Sequence, residues 1–150
     1  MKLLKRMGNQ WEYELNVNEA MVLKTMLDHF PVTKLFPAKM AKGHHDAESL
    51  DRENLLNAAL AKQRDDLKKA AEQMAKDCLA ETSGVWLLKL RSEHKELLLQ
   101  ILNDTRIGIW KELGEPADLN QVPALPAHKP LWAMMNLAGY FQENLLTELS

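Results

Sequence analysis

Cysteine is almost missing from this chain. Cys78 is the single one among 150 residues, which excludes an internal disulfide or a two-cysteine redox switch and fits a reducing compartment. A lone thiol of this kind is ordinarily a small buried side chain. Long apolar runs are missing too: the longest are a handful of residues, far short of the roughly 20 needed to cross a bilayer. No membrane partner is therefore expected. The opening MKLLKR carries the charges of a signal peptide, but Gly8, Asn9 and Gln10 arrive before any apolar run of about 7–15 residues. A cytoplasmic protein is the expectation. An excess of charge is also absent, with 19 basic against 21 acidic residues and a formal net charge of -2. A protein that works by neutralising phosphates needs a basic footprint, so nucleic acid is not an expected partner. No Walker loop, nucleotide-binding glycine fingerprint, nucleophile elbow, HExxH pair or CxxC occurs, which argues against the commonest enzyme types and points to no cofactor.

What is present suits one folded domain over residues 1–150. An apolar fraction of 46% with 27% charged residues is ordinary globular composition, and this length supports a single core. The stretch 97–114 organises the rest. Leu98, Ile101, Leu102, Thr105, Ile109 and Leu113 share one face of a 3.6-residue helix, with Ser92 as its N-cap and Gly114 as its stop. Asn103, Asp104 and Arg106 accompany that stripe. With Glu143 on the last helix they are read as a structural polar network, in which an arginine and carboxylates fix helix register.

Gly8-Asn9 between residues 2–7 and 10–16 suits a tight hairpin turn, and Trp11, Tyr13 and Leu15 alternate with Glu12 and Glu14 as in a half-buried strand. Asn16 followed by Glu19 reads as a capping box opening a helix over 17–30. Residues 31–46 read as a surface connection, with one helical turn near Leu35 and the lysines Lys34, Lys39 and Lys42. From 49 to 80 no proline or glycine interrupts a stripe of Leu56, Leu60, Gln63, Leu67, Ala70, Met74 and Cys78. The expectation is one long amphipathic helix, ended by Gly84. Residues 85–90, VWLLKL, follow as a third strand. Trp11, Leu15, Leu23 and Leu27 recur at a constant offset as Trp86, Leu90, Leu98 and Leu102, an echo that two strand-then-helix units around a shared sheet explain. Four prolines between 116 and 130 favour an extended wrap. Pro130 then opens a final helix, with Leu131, Met134, Ala138, Phe141, Leu145 and Leu149 on one face and Gly139 permitting close approach of a neighbour.

The fold expected is thus mainly α, in the α+β class: four or so helices packed with a small antiparallel sheet of an N-terminal hairpin and one later strand. This order of elements, with LNDxRxxxxxxLG over 102–114 and FQENLL over 141–146, resembles the bacterial family called domain of unknown function two-thousand-seventeen. The resemblance implies a small, mainly helical cytoplasmic protein without an assigned reaction. Family genes beside that of the Clp protease adaptor imply a regulatory or proteolysis-linked setting. The stretch 43–46 has no counterpart in that pattern.

The leading functional expectation is a non-enzymatic regulatory or protein-interaction module, binding itself as a homodimer or another protein. Its candidate interface is Leu56, Leu60, Leu67, Met74, Trp110, Trp132 and Met134, since methionine-rich and tryptophan-bearing helix faces suit adaptable contacts. One alternative is a small metal-binding protein or enzyme using His44, His45 and Asp46, with His29, His94 or His128 completing a zinc site. Another is a transcription-associated regulator acting through protein contacts.

Overall fold

The structure is a computed structural model that describes residues 1–32 and 47–147. Two strands, β1 (Lys2–Met7) and β2 (Gln10–Leu15), precede helices α1 (Val17–His29) and α2 (Ala47–Cys78). The same order then repeats: strands β3 (Leu79–Thr82) and β4 (Val85–Arg91), then helices α3 (Ser92–Glu112) and α4 (Lys129–Thr147), the last preceded by a single 3-10 turn at Pro126–His128. The four strands form one antiparallel sheet in the order β1-β2-β4-β3. A mainly helical protein with a small antiparallel sheet is as expected; the sheet has four strands instead of three, and it rules out an all-α description.

β3 escaped the sequence because Leu79–Thr82 continues directly from α2 with no breaker between them. Gly84 is accordingly not a helix stop. It is the second residue of a two-residue hairpin turn in which Ser83 (φ 54) and Gly84 (φ 79) both take positive φ, the signature of a type I′ connection. The first hairpin turns at Gly8 (φ 61) and Asn9.

The sequence echo is a register. β2 pairs with β4 so that Trp11 faces Leu90, Leu15 faces Trp86 and Tyr13 faces Leu88. Each residue's partner is the equivalent, half a chain further on, of a residue in its own strand. Exchanging the two halves reproduces the pairing, with Tyr13 and Leu88 at the axis. The equivalence continues into the helices. Asn16 accepts from the Glu19 N–H at 2.8 Å while the Glu19 carboxylate takes the Asn16 N–H at 3.0 Å; half a chain on, the Arg91 N–H donates to His94 Nδ1 at 3.1 Å. Arg91 is thus the residue preceding α3, and Ser92 is its first helical residue instead of its cap. A register shift between Leu3 and Lys5 breaks the correspondence in the outer hairpins.

The core lies between the inner sheet face and the helices. Trp11, Tyr13, Leu15, Leu88 and Leu90 meet Leu23, Leu27, Leu98, Ile101, Leu102, Phe141 and Leu145, all buried. α4 is buried along its length through Met135, Ala138, Phe141 and Leu145. α2 is buried only through Ala71, Met74 and Cys78 in its C-terminal part.

Candidate functional site

The stripe on α2 runs out of cover. From Cys78, Met74 and Ala71 in the core it passes to half-buried Leu67 and Leu60, then to Leu56, which is 48% exposed. Residues three and four apart share a helix face, so this is one continuous ridge that leaves the body of the domain. Beside it, α2 and α3 bound a groove of about 360 Å³ lined by Phe30, Pro31, Leu60, Leu67, Ile107 and the polar residues Gln63, Arg64, Gln100, Asn103 and Asp104. Two hydrogen bonds hold the chain leaving α1 in place there. Arg64 donates to the Pro31 carbonyl at 3.0 Å, and the Val32 N–H donates to Asp104 Oδ2 at 2.6 Å. Gly108 is needed for this seating, because a Cβ at that position would fall 2.5 Å from Val32 Cγ1.

The expected network of Asn103, Asp104, Arg106 and Glu143 is distributed over different contacts. Asn103 lines the groove, and Asp104 serves Val32. Arg106 crosses to α4, where it donates to Gln142 Oε1 at 2.7 Å and its guanidinium passes close to Gly139. Among the described residues no ion pair joins Arg106 to Glu143; the neighbouring Gln142 offers a neutral oxygen on the side of α4 that faces α3.

The candidate interface residues also separate. Leu56, Leu60 and Leu67 form the ridge, whereas Met74 is buried in the core and belongs to no surface. Trp110 and Trp132 are half-buried and tie down the proline-rich segment through indole N–H bonds to the Pro116 and Leu119 carbonyls, each at 3.1 Å. Met134 is half-buried against the core. His44, His45, Asp46, Lys34, Lys39, Lys42, the helical turn near Leu35 and Leu149 lie outside the described residues. Among the described residues no three His, Cys, Asp or Glu side chains converge in a way that could hold a metal ion, and no helix is long and apolar enough to cross a membrane.

A second recess, which sequence spacing did not reveal, opens at the end of the sheet nearest the β1–β2 turn. Its volume is about 470 Å³, and its walls include Lys5, Gln10, Trp11, Lys89, Arg91 and His94. Trp11 is 6% exposed, and its indole Nε1 has no hydrogen-bond partner among the described residues. Two cations lie over its ring, Lys95 Nζ at 4.1 Å and the Arg6 guanidinium at 5.4 Å. Lys95 is 2% exposed, and such buried cation–π contacts reach about 2 kcal/mol. Cys78 also borders the recess; burial first, then Asp77, pushes its thiol up to about 11 against the pull of Arg91. A thiol held protonated at neutral pH is not a nucleophile.

At the opposite end of the sheet opposite charges are paired. There the N-terminal ammonium donates to the Glu19 carboxylate and to the Tyr140 hydroxyl, the latter at 2.8 Å. Burial raises the pKa of Glu19, but the ammonium, the Asn16 N–H and Tyr140 together outweigh it and hold the carboxyl below its ordinary range. No family model, curated protein or solved structure matches the chain.

Proposed function

We propose that this chain is a non-enzymatic protein-interaction module with a regulatory role in the cytoplasm, working through the N-terminal half of α2 and the groove beside it. The observation that carries the reading is the apolar ridge of Leu67, Leu60 and Leu56 passing from buried to exposed along one helix face. Uncovered apolar surface of this kind is costly in water and marks contact sites. The groove adds apolar walls with a few polar groups at its rim, the chemistry that receives an amphipathic helix. The occupant we assign is α2 of a second copy, since that helix carries exposed leucines, Leu50, Leu55 and Leu56, beyond the reach of its own core. The resemblance to domain of unknown function two-thousand-seventeen, with its proteolysis-linked setting, supports a regulatory role in the same way.

Light scattering across a concentration series tests this reading. The full chain is expected to dimerise, and Leu56→Glu with Leu60→Glu is expected to return it to a monomer with unchanged circular dichroism. A wild-type chain that stays monomeric at the highest concentration overturns the reading.

A further inference from the structure

We propose that the recess at the β1–β2 turn end of the sheet binds a small organic anion carrying two or more negative charges on phosphate or carboxylate groups. This goes beyond the interaction surface on α2 and does not depend on it. The volume of about 470 Å³ falls within the roughly 300–1,000 Å³ of small-molecule sites. Basic side chains reach it from three elements: Lys5 from β1, Lys89 and Arg91 from β4, and His94 from the first turn of α3. Lys5, Lys89 and Arg91 form no ion pair among the described residues, although Glu12 stands opposite both lysines in the strand register. His94 Nδ1 accepts the Arg91 N–H, so the proton of the neutral ring is on Nε2, leaving a donor for a ligand. Met7, Trp11 and Leu90 add apolar atoms to its lining. Lys95 and Arg6 over the Trp11 ring add positive charge, which water screens little where it is buried.

The two-fold plan of the chain shows that the fold itself does not require these cations. Lys5, Arg6, Lys89, Arg91, His94 and Lys95 have as equivalents Ala80, Glu81, Glu14, Asn16, Glu19 and Ala20. The same strand pairings hold at both ends: Arg6 on Trp11 repeats as Glu81 on Trp86, and Trp11 on Leu90 repeats as Trp86 on Leu15. One end of the sheet folds with neutral or acidic residues at all six positions, and the other gathers every one of them as a basic side chain. Arg6 and Lys95 are accounted for by their contacts with the Trp11 ring and His94 by its bond to the Arg91 N–H. Lys5, Lys89 and Arg91 have no such role among the described residues, and a ligand accounts for them. Glu12 and Asp77, which also line the recess, disfavour a long charged polymer such as nucleic acid and suit a small anion that also carries hydroxyl or amino donors.

The test is titration of the full chain with inorganic pyrophosphate and, separately, citrate, followed by calorimetry and backbone amide NMR; the two arms distinguish phosphate from carboxylate. Saturable shifts are expected over 5–12 and 89–95. Lys89→Glu with Arg91→Glu should weaken binding about tenfold or more, as loss of charge-assisted bonds does. Lys2→Glu at the opposite end and Leu56→Glu with Leu60→Glu on α2 should leave binding unchanged. No saturable binding of either anion, or shifts spread equally over the lysines of α2, overturns the proposal. The wild-type shift map decides it even if the double reversal fails to fold.

Discussion

α2 and α4 occupy corresponding places in the two halves of the chain, each following a hairpin and one helix, but they are held very differently. α4 lies buried along its length through Met135, Ala138, Phe141 and Leu145. α2 is anchored at its last two turns and leaves its leucines half-covered toward its start. The contrast has a simple cause. Where α4 buries Met135, Ala138, Phe141 and Leu145, α2 presents Leu60, Arg64, Leu67 and Ala71 at a similar three- and four-residue spacing. Arg64 cannot be buried without a partner and takes the Pro31 carbonyl instead, so α2 stands off from the body and a groove remains. One backbone plan thus gives a packed helix in one half and a presented helix in the other.

The contrast can be broken most severely in α4. Phe141→Ala removes a ring that is 1% exposed and is expected to cost about 3–5 kcal/mol in urea unfolding, the usual price of a large core truncation. A much smaller cost would mean that α4 is no better held than α2. Gly108→Ala drives a Cβ into Val32; overpacking at about 1–3 kcal/mol exceeds the helix-propensity gain of about 1 kcal/mol. The net loss should be relieved when Val32→Ala is added, and a single variant as stable as wild type would show that Val32 is not held against α3.

Glu19 sharpens the charge contrast between the ends of the sheet. Its carboxyl is held below the ordinary range, so its contribution is fully present above the unfolded-state pKa and is lost as pH falls through the lower folded value. Glu19→Gln should cost about 1–2 kcal/mol near neutrality and flatten the acid limb of a stability–pH curve; an unchanged limb would remove the ion pair from the account. The smallest effect belongs to the presented helix. Leu56→Ala should change monomer stability by no more than about 0.5 kcal/mol, and a large loss would mean that the ridge is core.

Much of this plan was legible in the amino acids. Alternation around Trp11, the Asn16–Glu19 capping pair and the leucine spacing of α3 and α4 each report a local preference that the fold keeps. The echo of Trp11 and Leu15 in Trp86 and Leu90 reported the two-fold as well, because equivalent positions in the central strands face equivalent surroundings. β3 was hidden because four residues without a preceding breaker look like the end of a helix. The polar network was misjudged where neighbours in sequence diverge in space, as Asp104 and Arg106 do around the helix axis. The basic recess could not be seen at all. Its cations are drawn from residues 5 to 6 and 89 to 95, and only the β1-β2-β4 register places them together. Lys95 offers no sign of burial inside the polar run SEHKE.

The pairing of β2 on β4 has a consequence for tolerance to change. Beside the axis the Trp–Leu contact of the seam occurs twice, as Trp11 on Leu90 and Trp86 on Leu15, as in an isologous subunit boundary, so damage to one copy leaves its twin intact. At Tyr13 and Leu88 there is a single pair and no spare. Redundancy of this sort gives the periphery of the sheet latitude to diverge in composition while its centre is constrained.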